Sequence, residues 1–179
     1  MKVILAMVMS LDGKTTKWDE AGIYNWTSPE DREYFFSLRE KNDVIIMGRK
    51  TFDAAKSVIK LSPRCLRIVM TRTPQKYSNI AVKEMLEFTD EPSSRLIEKL
   101  NKRGYSKVLV VGGEQVNFHF LKEKRIDEIW ITIEPLLFGL GNSLVSPSRL
   151  NITMELKGVR KLNKKGTLLL KYRVIYNSF

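Results

Sequence analysis

Apolar residues run almost unbroken over residues 3–9 (Val3-Ile4-Leu5-Ala6-Met7-Val8-Met9), and the polar stretch that begins Ser10-Leu11-Asp12-Gly13-Lys14 ends that run. A buried first strand followed by a long loop is the reading. A helix opens at Thr27 or Ser28, with Pro29 in its first turn, Glu30 and Asp31 at its positive end, and Tyr34, Phe35 and Leu38 repeating at helical spacing. Residues 43–47 form a buried strand and a short helix starts at Lys50; residues 66–71 form another strand, closed by Arg72-Thr73-Pro74. The stretch 75–92 is polar and weakly patterned, with one short strand expected near Ile80 to Val82. Beyond it, Leu96, Ile97 and Leu100 share one helix face, Gly104 ends that helix, 107–111 is a strand, 114–124 a helix and 127–134 a strand stopped by Pro135. Two late strands, 153–162 and 167–176, flank Lys164-Lys165-Gly166 as an antiparallel hairpin. Strands alternating with helices before a closing hairpin predict an α/β fold with a mostly parallel mixed sheet, in one domain over residues 1–179.

Composition narrows the class. With 179 residues and 43% apolar content, the chain can build a core without disulfide support. One cysteine, Cys65, excludes an intrachain disulfide, and a single histidine leaves no Cys/His metal cluster. The opening apolar run is too short for a signal peptide or a membrane span, so a cytoplasmic protein is expected. The formal charge of +11 is spread along the chain, dense only at Arg160-Lys161-Leu162-Asn163-Lys164-Lys165. That spread fits steering of anionic small molecules. A basic nucleic-acid-binding module is the non-enzymatic rival, and the absence of a basic cluster interleaved with aromatics counts against it.

Two turns carry the first chemical signal. Gly48-Arg49-Lys50-Thr51 and Gly112-Gly113-Glu114 each follow an apolar strand and open a helix. Such a turn presents free backbone N–H groups and a positive dipole end to an anion. Two of them in one chain suit an extended, multiply phosphorylated dinucleotide. Asp31 is the candidate acid: four residues before Phe35 on one helix face, it sets a carboxylate beside an aromatic wall, where it can accept two hydrogen bonds from a planar amino-heterocycle. Thr132, a hydroxyl in the strand Ile129-Trp130-Ile131-Thr132-Ile133, can share a proton or water with that acid. His119 and Cys65 read as structural, since no nucleophile elbow accompanies either.

The runs Trp26-Thr-Ser-Pro-Glu-Asp31-Arg-Glu-Tyr-Phe35, Met47-Gly-Arg-Lys-Thr-Phe52, Val111-Gly-Gly-Glu-Gln-Val-Asn-Phe-His-Phe-Leu121 and Asp127-Glu-Ile-Trp-Ile-Thr132-Ile-Glu-Pro-Leu-Leu-Phe-Gly139, in that order and spacing, resemble the dihydrofolate reductase superfamily, which includes the riboflavin-pathway pyrimidine reductases. The resemblance implies a three-layer dihydrofolate reductase-like fold and NADPH lying across the sheet. Arg49 and Thr51 would hold phosphates, Gly112 and Gly113 would admit the pyrophosphate across a cis peptide bond, Thr71 and Arg72 would meet the 2′-phosphate, and Ala6 and Met7 the nicotinamide amide. The cofactor side would also take in Gly13, Lys14, Gly48, Lys50, Val111, Glu114, Gln115 and Val116. Asp31 would anchor a pterin with Thr132 as its hydroxyl partner, Phe35 and Val111 would pack on the substrate, and Arg64 would reach its tail.

Two substrates follow from the resemblance. Asp31 and Thr132 favour NADPH-dependent reduction of 7,8-dihydrofolate, as does Ala6, where the riboflavin-pathway enzymes usually carry lysine. The alternative is the phosphoribosylamino-pyrimidine of riboflavin synthesis, favoured by Met9-Ser10-Leu11-Asp12-Gly13-Lys14 and the Trp-Thr-Ser-Pro-Glu run. Either partner is a small molecule, and neither reading needs a metal, nucleic acid or a membrane. The apolar run Pro135-Leu-Leu-Phe-Gly-Leu-Gly141 gives two expectations, a homodimer interface or a core-packed loop.

Overall fold

The computed structural model describes residues 1–20 and 22–176. Eight strands form one sheet: β1 (Lys2–Ser10), β2 (Val44–Gly48), β3 (Leu66–Met70), β4 (Leu86–Thr89), β5 (Lys107–Val110), β6 (Glu128–Glu134), β7 (Thr153–Lys161) and β8 (Leu168–Ile175). Their order is β4-β3-β2-β5-β1-β6-β8-β7. The first six are parallel, whereas β8 runs antiparallel to β6 and to β7. The four helices are α1 (Pro29–Glu40), α2 (Arg49–Ala55), α3 (Ser93–Lys102) and α4 (Glu114–Lys122).

The central strands are apolar on both faces because helices cover both. Val3, Leu5, Ile46, Ile68, Val108 and Val110 pack with Leu96, Leu100 and Phe120 of α3 and α4. On the opposite face Ile4, Ala6, Ile45, Met47, Val69 and Leu109 pack with Leu38 of α1 and Phe52 of α2. These are the three layers that the resemblance implied. Ser28 caps α1 by accepting from the Asp31 N–H at 3.2 Å, and Pro29 holds the first position, where no N–H is needed.

One expectation shifts. The strand anticipated near Ile80 to Val82 lies instead at Leu86–Thr89, and Val82 only bridges back to Leu86 across a tight turn. The strand has just four residues, with only Leu86 fully buried, so it lacks the apolar run that marks its neighbours. Among the described residues no helix is long and apolar enough to cross a membrane.

Candidate active site

A cleft of about 1450 Å³ opens at the carboxyl ends of the parallel strands. In open α/β sheets this is where strand-to-helix turns leave room for a ligand. One half is lined by the two glycine turns and their neighbours: Gly48, Arg49, Lys50 and Thr51; Thr71 and Arg72; Val111, Gly113, Glu114, Gln115 and Val116. Pairing of β2 with β5 puts the two turns side by side, and the glycine pair is joined by a cis peptide bond. Gly112 has φ +88, and a Cβ there would stand 2.9 Å from the Met7 sulfur, so only glycine fits between β1 and this turn. Arg49 is exposed and pairs with Asp53 at 2.7 Å, one helical turn on.

The other half is built from α1, β1, β3 and β6. Asp31 is 5% exposed and Thr132 3% exposed, and the two side chains share this corner of the cleft. Burial pushes Asp31 up from the ordinary carboxylate value to about 6; the Thr132 hydroxyl and the Arg32 charge oppose that rise, and Glu134 adds to it. Phe35, Leu38 and Trp130 supply apolar wall, and Ala6 lies on the floor between the two halves.

Arg67 was not anticipated. It projects from β3 into the cleft and is 3% exposed, yet its only side-chain hydrogen bond is a long one, 3.4 Å to the Cys65 carbonyl. Among the described residues no carboxylate pairs with it, nor with Arg39, which also lines the cleft and stacks on Phe36. Burial, with the nearby Arg39 charge, pulls the Arg67 guanidinium below its ordinary value. The signal was present in the sequence as an arginine inside an otherwise apolar strand.

Four expected site residues lie off the cleft wall: Gly112, set against Met7 as described above, and Arg64, Gly13 and Lys14. Arg64 is exposed in the turn before β3, where its N–H bonds to Ser62. Gly13, at φ +79, and Lys14 belong to a latch between the loop after β1 and residues 138–143. There Asp12 accepts from the backbone N–H groups of Phe138 (3.1 Å) and Gly139 (2.7 Å). The Ser10 hydroxyl and these amides hold the Asp12 carboxyl down at about 2. From that loop Thr15, Thr16, Trp18 and Asp19 reach the cleft. His119 is exposed on α4, and Cys65 is buried beneath α1 and unpaired. In the run 135–141, Phe138 packs edge-on against Trp26 at 5.2 Å, while Leu137 and Leu140 stay largely exposed. The Trp26–Phe138 contact matches the core-packed expectation for that part of the run.

Comparison with known proteins places this geometry. The chain is 26% identical over 170 residues to the protein YwjB of Bacillus subtilis, a match covering 91% of this chain and 93% of the relative. The crystal structure of a putative riboflavin biosynthesis protein from Shewanella sp. PV-4 superposes with a TM-score of 0.78 at 25% identity, covering 98% of this chain and all of the other. Dihydrofolate reductase from Enterococcus faecalis, solved with NADP(H), superposes at 0.67 with 17% identity over 97% of this chain and 96% of its own, a likeness of fold. A model of the RibD C-terminal domain matches residues 1–168, and by that match the chain belongs to the RibD C-terminal domain family, on a dihydrofolate reductase-like fold.

Proposed function

We propose that this chain is an NADPH-dependent reductase whose substrate joins a 2-amino-4-oxopyrimidine ring to an anionic tail. The observation that carries the reading is one cleft with three chemically distinct stations: the paired glycine turns, the buried Asp31 with Thr132, and the unpaired Arg67 with Arg39. A carboxylate with two acceptor oxygens matches the N3–H and 2-amino donors of such a ring. A buried guanidinium without a partner in the protein is costly unless a ligand supplies the anion.

The residues present fit a phosphorylated dinucleotide. Backbone N–H groups of two helix starts, the Thr51 hydroxyl and the cations of Arg49, Lys50 and Arg72 face one half of the cleft, and Gly113 leaves no side chain there. Arg72 and Thr71, beyond β3, would take a 2′-phosphate, which favours NADPH over NADH. When bound, the nicotinamide supplies the hydride. The chain's own contribution is orientation and field. Asp31 fixes the ring edge, Phe35 and Trp130 fix its plane, and Arg67 with Arg39 fixes the tail.

Family membership puts the riboflavin-pathway pyrimidine first, ahead of the dihydrofolate that Asp31 suggested in the sequence. Reduction of that pyrimidine saturates ribose C1′ and breaks the ring C–O bond, with a proton going to the released oxygen. Its diamino form carries the 2-amino edge that Asp31 suits, and its phosphate is the anion that Arg67 and Arg39 lack. The second reading is dihydrofolate, whose reduction saturates C6 and protonates N5; the Asp31–Thr132 pair favours it, and its glutamate carboxylates would serve the same arginines. The test is loss of NADPH absorbance with the two substrates in parallel, for the parent and for Asp31→Asn. Turnover of the pyrimidine establishes the first reading, turnover of dihydrofolate alone the second, and an Asp31→Asn variant with full activity at neutral pH would overturn the role of Asp31 in both.

A further inference from the structure

Glu134 is a buried carboxylate that none of the chemistry above uses. At the end of β6 it is 3% exposed, and both its oxygens accept hydrogen bonds at 2.7 Å, one from the Ser28 backbone N–H and one from the Thr167 hydroxyl. Two acceptor oxygens with a donor on each is the pattern of an ionised carboxylate. Ser28 is the cap of α1 that accepts from the Asp31 N–H. Thr167, fully buried, is held in turn by Asn163, whose side-chain amide donates to its hydroxyl at 2.9 Å and to Glu30 at 3.1 Å. The Asn163 carbonyl accepts the Gly166 and Thr167 N–H groups, which closes the hairpin turn. A chain of hydrogen bonds thus runs from the β7–β8 turn through Glu134 and Ser28 to Asp31, between segments more than a hundred residues apart in sequence.

We propose that Glu134 is the positioning residue for Asp31: it ties the first turn of α1 to the closing hairpin, and its fixed negative charge governs whether Asp31 meets the substrate protonated or ionised. The hydrogen bonds through Ser28 carry the tie, and they bring the Glu134 carboxylate to the turn that holds Asp31. Any shift of Glu134 displaces the Ser28 cap, and a buried like charge disfavours a second ionisation nearby. The other charged and titratable groups at this corner are Arg32 beside Asp31, Glu30 with Lys165 across the hairpin turn, and the Tyr34 phenol on the next turn of α1. The Thr132 hydroxyl and the Arg32 charge oppose the effect of Glu134 on Asp31.

The inference rests on Asp31 as the ring anchor, so its test is read without substrate. Carboxyl-carbon NMR of the whole chain would follow the Asp31 titration in the parent and in Glu134→Gln, where glutamine still accepts from Ser28 but carries no charge. The Asp31 midpoint is expected to fall by about half a pH unit or more in E134Q. Amide hydrogen exchange at Ser28 and Asp31 is expected to quicken about tenfold in Thr167→Val, which cuts the link from Glu134 to the hairpin while keeping its charge. An unmoved midpoint in E134Q overturns the electrostatic half, and unchanged exchange in T167V overturns the tie to the hairpin. Because T167V tests the tie alone, poor folding of E134Q leaves that half open to refutation. A wrong substrate assignment would leave both readouts intact, so the two failures are distinguishable.

Discussion

The backbone N–H of Gly48 donates to the carbonyl of Gly112 at 2.7 Å, so the two strand-to-helix turns that stand out in the sequence touch each other in the fold. Val111 returns the favour one residue away, its N–H bonding to Ile46 at 2.9 Å. The turns form one joined rim instead of two separate sites. That continuity suits a pyrophosphate-bridged ligand better than two independent phosphates.

Asp31 should cost the protein stability for the sake of binding. Its pKa is raised from 3.8 to about 6 in the folded state, so its favourable contribution is complete below about pH 4 and is lost as pH rises through 6. Asp31→Asn is expected to be more stable than the parent by about 1–3 kcal/mol at pH 8 and no more stable at pH 4. Urea denaturation at the two pH values checks this. Equal differences at both would remove the link to ionisation.

The same titration should govern ligand affinity. A protonated Asp31 loses one acceptor for the ring edge, so binding of a 2-amino-4-oxopyrimidine is expected to weaken below pH 6, approaching tenfold per unit. Calorimetry from pH 5 to 8 would show it, with a flat profile in Asp31→Asn. A profile that slopes equally in both would assign the effect to another group.

Arg67→Met separates tail recognition from folding. Methionine fills much of the space without the charge, so stability should hold or rise by about 1 kcal/mol. The KM for an anionic substrate should rise by about tenfold or more, with kcat nearly kept. A loss of stability with KM unchanged would make Arg67 structural.

At Arg72→Ala the NADPH dissociation constant should rise by about tenfold, with that for NADH almost unaltered, because only the former carries the 2′-phosphate. Fluorescence titration of each nucleotide decides it. An equal loss for both would move Arg72 to the shared part of the dinucleotide.

Gly112→Ala should lose both fold and cofactor. A Cβ at φ +88 is strained, and it meets the Met7 sulfur at 2.9 Å and the Met7 methyl at 3.0 Å. A destabilisation of about 1–3 kcal/mol is expected, with weaker NADPH binding, by denaturant titration and fluorescence. A variant as stable as the parent would show that Met7 yields freely.

The parts of this site that the sequence discloses are those where backbone need and chemistry coincide. Gly48 and Gly112-Gly113 announce themselves because a strand ending in glycine before a helix is visible locally, and Asp31 because Ser28 and Pro29 fix the helix start. Arg67 shows in the sequence only as an arginine in an apolar strand, since its lack of a partner depends on what surrounds it in the fold. Glu134 is hidden for the same reason: its partners, Ser28 and Thr167, lie 106 residues before it and 33 after. Gly13 and Lys14, placed on the cofactor side by the resemblance, sit in the latch held by Asp12, a long-range contact that no local pattern announces.

The hydrogen bond from Thr167 to Glu134 also orders events in time. Both glycine turns lie within residues 48–116, whereas the Asp31 corner joins α1 to Thr167, more than a hundred residues later. A ribosome delivers the first set long before the second. The paired glycine turns are therefore encoded early, and the corner around Asp31 is fastened only once Thr167 has emerged.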